Sequence, residues 1–425
     1  MASAPTTDVS DRTNLSIDRS DAGTSRPVTA LDRRLAAAVQ RTIADGPVRL
    51  ELWDGRRADG APHCAAGDLL VADRRALVGL AVNANLYFGE AYVAGRIRIR
   101  GSLNEVIHAL SRSRAANPSR WERATAFLAR ANDVTAARRN VEHHYDLGND
   151  FYSLWLDPDM VYTCAYYADE AMSLDEAQKA KLDLVCRKLQ LRPDETVVEA
   201  GCGWGALALH MAREYGVRVR AFNLSGEQLR WARARARREG LDSRVEFIED
   251  DYRNVAGQCD AFVSVGMLEH VGRRSYAALA DVLRRTVKRS GGRGLLHFIG
   301  RDVPRPLNPW IRRRIFPGAY VPALAEVARD VVAPADMSVV DVENLRLHYA
   351  RTLAHWSERF AAARERVRAQ SGEEFCRTWE LYLAGSEAAF RTGWMQLFQV
   401  VFAPRESTPP FFTRAPLYSG RGARA

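Results

Sequence analysis

Three glycines at alternate positions close the apolar stretch Val197-Val198-Glu199-Ala200-Gly201-Cys202-Gly203-Trp204-Gly205, and a helical pattern opens directly after them. Glycine lets such a turn tighten and lets the backbone approach a ligand with no Cβ in between. The first N–H groups of the following helix point at the same spot. Turns of this kind serve dinucleotides and other adenosine cofactors, and they also occur as plain strand-to-helix connections. Further along, Asn223, Asp250, Asp251, Glu269 and His297 each stand at or beside the end of an apolar stretch. Together they supply amide, carboxylate and imidazole groups, enough to bind a polar cofactor and to move a proton.

These groups can meet only if the chain brings those ends together. Strands are expected at 196–199, 217–222, 245–248, 261–265 and 294–298, with helices at 206–215, 226–239 and 274–287. Alternation at these lengths predicts an α/β fold with a doubly wound parallel sheet. Ligands of such sheets sit beyond the carboxyl ends of the strands, the edge on which the polar residues collect. Ser173-Leu174-Asp175-Glu176 reads as a capping box for a helix running to about residue 189. After Gly300 the pattern is mostly helical, with long helices expected at 344–368 and 373–402, an insertion able to roof an apolar pocket.

The rest of the chain divides by composition. Residues 1–28 read as a disordered tail, 29–116 as a small α+β domain, 117–140 as a basic connector, 141–405 as the main domain and 406–425 as a C-terminal tail. No secretory signal and no membrane-spanning run is expected, and a cytoplasmic location is the simplest reading. The six cysteines form no CxxC pair, and the adjacent His143 and His144 face different ways, so no metal is expected. The net charge of +9 is carried almost wholly by arginine and suits a polyanionic partner, a membrane surface or nucleic acid, or merely solvated faces.

The motifs taken in order resemble the cyclopropane fatty acid synthase family, which includes the mycolic acid cyclopropane synthases. They are the glycine turn, Asn223-Leu224-Ser225-Gly226-Glu227-Gln228, Gly266-Met267-Leu268-Glu269-His270-Val271-Gly272, Tyr162-Thr163-Cys164-Ala165-Tyr166, Leu296-His297-Phe298-Ile299-Gly300, Ile315-Phe316-Pro317-Gly318 and Phe390-Arg391-Thr392-Gly393. The resemblance spans roughly residues 30–405. It implies a class I methyltransferase fold binding S-adenosylmethionine and a methylene transfer to the cis double bond of an unsaturated acyl chain of a phospholipid. By the same resemblance Tyr162 and Thr163 would meet the methionine end of the cofactor, the turn Gly201, Cys202, Gly203, Trp204 and Gly205 its middle, and Asn223 and Gln228 its ribose. Asp250 or Asp251 would accept from the adenine amine, with Tyr252 either packed on the ring or filling the core.

Attack of an alkene on the sulfonium methyl leaves a carbocation, and ring closure then needs a base. Family members hold bicarbonate for that step. Here His297 and Tyr349 would donate to it through side chains, Cys164 and Ile299 through backbone N–H, and Glu269 would take its hydroxyl proton. Taken singly, each of these residues is as readily a core or capping residue. Where relatives carry a cysteine in the last helix, this chain has Ser386. C-methylation or methylenation without ring closure stays open, as does a homodimer. An RNA or small-molecule methyltransferase is a weaker reading, since no RNA-binding signature accompanies the charge and no nucleic-acid partner is expected. A lipid-binding protein without catalysis is weaker too. Arg312, Arg313 and Arg314, flanked by Trp310, Ile311, Ile315 and Phe316, either dock on anionic headgroups at a membrane surface or pair with carboxylates over the pocket.

Overall fold

The computed structural model describes residues 27–63, 66–113 and 147–418. The expected tail up to residue 26, the connector at 117–140, Cys64 and the stretch around His143 and His144 lie outside the described residues.

The N-terminal unit starts with α1 (Ala30–Thr42), held by a capping box between Thr29 and Asp32. Strands β1 (Val48–Glu51), β2 (Gly67–Val71) and β3 (Ile97–Gly101) form a sheet in which β1 is parallel and β3 antiparallel to β2. Helices α2 (Arg74–Val93) and α3 (Leu103–Ser111) pack on it, and Val48, Leu50, Leu77, Ile97 and Val106 are fully buried between the layers. The buried Gln40 donates to the Val48 carbonyl (2.9 Å) and accepts the Leu50 N–H (2.8 Å), which satisfies the unpaired edge of β1. α2 breaks at Asn83 (φ −157°, ψ 91°), whose Oδ1 accepts the Leu86 N–H and restarts the helix.

The larger sheet contains β4 (Thr196–Ala200), β5 (Arg218–Asn223), β6 (Val245–Glu249), β7 (Ala261–Val265), β8 (Arg293–Gly300), β9 (Met337–Asn344) and β10 (Gln396–Pro404), ordered β6-β5-β4-β7-β8-β10-β9. Around it lie α4 (Asn149–Tyr152), α5 (Leu174–Lys188), α6 (Ala206–Tyr215), α7 (Gly226–Arg238), α8 (Leu268–Val271) and α9 (Tyr276–Thr286). The order reverses at β4, which pairs with β5 on one side and β7 on the other, and this opens a crevice beyond its carboxyl end.

One expectation is corrected at the far side of the sheet. β10 runs antiparallel between β8 and β9, so the sheet is mixed rather than all parallel. The helix expected at 373–402 stops at Thr392, and Gly393 (φ 83°) turns the chain into β10. All nine residues of β10 are buried, and continuous burial leaves no alternating pattern to separate a strand from a buried helix. Residues 406–418, expected as tail, begin with a return along this side: Arg414 pairs with Asp341 of β9.

The insertion contributes α10 (Pro309–Arg314) and α11 (Leu324–Val327). Beyond β9 come the long antiparallel pair α12 (Arg346–Ser371) and α13 (Glu373–Thr392). Trp310 and Ile315 are buried and not available for insertion into a lipid interface. The Trp310 indole lies against Gly89 of α2, where a side chain would collide with it, and Arg314 pairs with Glu90 (3.0 Å). Arg312 and Arg313 are exposed.

Gly205 has φ 83°, and a Cβ there would lie 2.7 Å from the Phe247 ring and 3.0 Å from the Ala232 Cβ. Gly205→Ala should lower unfolding free energy by about 1–3 kcal/mol through backbone strain and overpacking. Urea denaturation checks this, and an unchanged midpoint would mean the turn relaxes freely.

Candidate active site

β4 is buried on both faces and delivers the chain into the glycine turn at the switch point. The N–H groups of Gly201 and Cys202 both donate to the Phe222 carbonyl of β5 (2.9 and 3.1 Å), tying the turn to the neighbouring strand. At Gly203 (φ 54°) a Cβ would meet nothing within 4 Å, whereas at Gly205 it would strike the core. Gly203 therefore faces open space and Gly205 answers to packing. Trp204 is buried and donates from Nε1 to Asn149 Oδ1 (2.6 Å), so α4 holds the turn from the other side. Cys202 is also buried, and burial pushes its thiol well up, which leaves a small packing residue and no nucleophile.

The open space is a cavity of about 530 Å³. Of the expected cofactor residues, Tyr162, Thr163, Gly201, Cys202, Gly203, Trp204, Asn223, Gln228, Asp250, Asp251 and Tyr252 line it, and Gly205 does not. Asn223 Nδ2 donates to Gln228 Oε1 (2.8 Å), and the Ser225 side chain caps α7 by accepting the Gln228 N–H. Asp250 accepts the Asp251 N–H (2.7 Å) and the Asn254 amide (2.7 Å), while Asp251 accepts the Arg253 N–H (2.9 Å). Tyr252 belongs to the core formed with Phe222 and Val271 and also lines the cavity.

Glu269, Ile299 and Tyr349 line the same cavity; Cys164 and His297 do not. Glu269 is buried on α8, and its Oε1 accepts the Ile299 N–H at 2.5 Å. Its Oε2 has no partner among the described residues, and burial pushes the carboxyl up to about 7. The Ile299 N–H, expected to hold an anion, is thus engaged by Glu269. His297 lies two residues deeper in β8 than Ile299, which on a strand is about 7 Å. Its Nδ1 is 3.1 Å from the Gln399 side-chain amide, and its Nε2 has no partner among the described residues. Burial holds the ring well below its usual range and therefore neutral. Cys164 is fully buried with Sγ on the Ala165 carbonyl (3.1 Å), and desolvation raises its thiol. The Tyr349 ring is stacked at a tilt on Phe390, centroids 4.6 Å apart.

Among the lining residues that the motifs did not mark as site residues are Tyr382, Lys181 and Glu199. Tyr382 of α13 shares a 2.9 Å hydroxyl contact with Tyr162, whose ring is held between Trp155 (5.4 Å) and Trp356 (5.2 Å). Lys181 of α5 is buried and donates to Thr163 Oγ1 (2.8 Å). Glu199 of β4 is buried nearby; burial raises its carboxyl and lowers the Lys181 ammonium, while each partly offsets the shift of the other. Lys181 had one signal, a cation on the face of α5 that also carries Ala177 and Gln178. Ser386 lines the cavity as well. Among the described residues no group of histidines, cysteines and carboxylates is arranged to hold a metal.

The chain matches the family described as mycolic acid cyclopropane synthetase over residues 132–400, and a domain family of unknown function over 37–118. It is similar to a probable fatty acid methyltransferase of Pseudomonas putida, 38% identical over 363 residues that make up 84% of this chain and 91% of that protein. It is similar also to the cyclopropane-fatty-acyl-phospholipid synthase of Escherichia coli K12, 42% identical over 263 residues, 62% of this chain and 67% of that one. The crystal structure of mycolic acid cyclopropane synthase CmaA1 complexed with SAH and CTAB superposes on 62% of this chain and 97% of its own, with 31% identity and a TM-score of 0.59. A switch-point glycine turn facing an open cavity, joined to a match over more than half of the sequence, makes the chain a member of the mycolic acid cyclopropane synthetase family, S-adenosylmethionine-dependent methyltransferases of the cyclopropane synthase type.

Proposed function

We propose that the protein transfers a methylene carbon to the cis double bond of an unsaturated acyl chain of a phospholipid and closes a cyclopropane ring. The observation that carries this reading is one continuous cavity running from Gly203, past Glu269 and Tyr349, to a wall of Leu353, Leu381 and Phe390. An apolar space of that kind suits a hydrocarbon chain lying beside a polar cofactor. We read 29–116 and 141–405 as the two domains that enclose it.

S-adenosylmethionine supplies an electrophilic methyl group. The residues present fit it: Gly203 leaves room for close approach, and the Asn223–Gln228 pair and Asp250 offer acceptors along the same wall. Tyr162 and Thr163 would orient the methionine end, with Lys181 fixing the Thr163 hydroxyl. Positive charge appearing on the acyl chain is favoured by aromatic faces, and Tyr162, Tyr349 and Tyr382 line the space. Bicarbonate, held beside Glu269, would supply the base for ring closure. Glu269 Oε2, buried at the cavity wall without a partner among the described residues, is the observation in favour of a further polar guest. A carboxyl pushed up to about 7 spends much of its time protonated at neutral pH, which relieves repulsion against an anion. Tyr349 would donate from its hydroxyl, whereas Cys164 stands behind the cavity wall and would act only through its backbone.

Methyl transfer without ring closure is the second reading, favoured by the Pseudomonas putida relative's name, a probable fatty acid methyltransferase. Docking at a membrane surface would rest on exposed Arg312, with Arg313 (3.9 Å) and Arg314 both beside Glu90. Mass spectrometry of fatty acids from a host expressing the protein tests the reaction: mono-unsaturated chains should gain one CH2. Proton NMR in the cyclopropane region separates a ring from a branch, and no gain in mass would end the proposal.

Gly203→Val should abolish S-adenosylmethionine binding, because a branched side chain fills the open space and resists positive φ. Calorimetry should detect no heat, and unchanged affinity would make the turn purely structural. Glu269→Gln should keep cofactor affinity and slow turnover by about 10²–10³; full activity would remove Glu269 from the chemistry. The same variant tests protonation. Because burial raises the Glu269 pKa from 4.5 to about 7, its stabilising contribution is complete below 4.5 and lost as pH rises through 7. Glutamine mimics the protonated acid, so parent and variant should be about equally stable below about pH 4, and the variant stronger by up to about 3 kcal/mol at pH 8. Urea denaturation at the two pH values reads the difference, and a constant gap would contradict a buried, protonated carboxyl.

A further inference from the structure

The cavity does not end in the methyltransferase part of the chain. It continues into the N-terminal unit, where Val39, Ile43, Leu69 and Leu80 line it. These four are also members of that unit's own hydrophobic core, each less than a tenth exposed. A small core is normally close-packed, and a gap in it forfeits dispersion contacts unless something fills it. The break in α2 at Asn83 borders the gap, since the next residues, Ala84 and Asn85, line the cavity.

The chemistry of the lining names the occupant. The charged lining residues, such as Lys181, Glu269 and Arg301, all belong to the methyltransferase part, and the N-terminal unit contributes apolar and uncharged side chains alone. A headgroup or an anion finds no counter-charge there; a hydrocarbon does not need one. Two contacts keep the two parts in register around this space. Asn104 of α3 donates to Glu387 of α13 (2.5 Å), and Trp394 Nε1 donates to the Ser111 carbonyl (2.9 Å).

We propose that the core of the N-terminal unit forms the far end of the acyl site and receives the methyl-terminal half of the substrate chain, so that its depth selects chain length beyond the double bond. The inference rests on the acyl-chain reading given above. It gives the N-terminal unit a role in substrate choice that the methyltransferase part cannot supply alone.

The test compares palmitoleoyl and oleoyl phosphatidylglycerol vesicles. Their double bonds lie equally far from the carboxyl, and their methyl ends differ by two carbons. Val39→Phe and Leu69→Phe fill the channel end, and Leu80→Ala deepens it. Calorimetry with S-adenosylhomocysteine confirms that each variant is folded at the cofactor site. The filling variants should lose about fifteenfold more turnover on oleoyl than on palmitoleoyl chains, since two methylenes lose burial worth about fourfold each. Leu80→Ala should move the ratio the other way. Equal losses on both chains, or an unchanged ratio in all three variants, would overturn the proposal. If the parent protein alters neither lipid, the reaction proposed above fails, and the inference is read from calorimetric binding of oleate and palmitoleate instead. The same shift in ratio supports it there, and no binding of either fatty acid overturns it.

Discussion

Charge held out of water is the constraint on which the site depends. Lys181, Glu199, Glu269 and His297 are all nearly inaccessible to solvent. Desolvating an ionised group costs far more than one ordinary hydrogen bond returns, so each must be neutralised or partnered. The structure uses both routes. Lys181 is partnered by the Thr163 hydroxyl, while Glu199 and Glu269 drift toward their protonated forms and Glu269 leans on the Ile299 N–H. The Glu269–Ile299 contact ties α8 to β8. The aromatic packing of Tyr162 against Trp155 and Trp356 then closes the cavity around them.

Much of this was legible in the residues because local rules and tertiary context agree there. Residues 206–215 and 261–265 form the expected helix and strand, and Ser173 makes the expected capping box. The agreement fails where burial is complete. β10 is buried on both faces, so its period is erased and the preceding helical pattern runs on into it. The candidate site shows the same divide. Glycines and strand-end polar residues announce themselves by position, which brought Gly203, Asn223, Asp250 and Glu269 to one cavity. Depth along a strand is not written in the residue types, and His297 lies too far down β8 to join them. Lys181 and Glu199 are charged residues in fully buried places, and only the packed neighbours reveal that.

The contact between the two parts is built from mixed chemistry. Gly89 gives Trp310 a flat seat, and Glu90 holds Arg314 beside it. Around α13, Asn104 and Glu105 reach Glu387 and Arg391. An interface of buried aromatic anchor and polar rim holds relative orientation well, and orientation is what a shared cavity requires.

The placement of β10 has a consequence for the order of assembly. β8 gains its second neighbour only when residues 396–404 arrive, and β9, although earlier in the chain, joins the sheet only through β10. Pairing of segments so far apart carries a loop-closure cost that must be met before the contacts reward it. During synthesis the first five strands can form while β8 still exposes an open edge, with β9 waiting unpaired. Completion of that edge also delivers Gln399 to His297. The nascent chain therefore spends its most aggregation-prone interval with a nearly finished sheet, and the last strand both seals that edge and gives the buried histidine its amide partner.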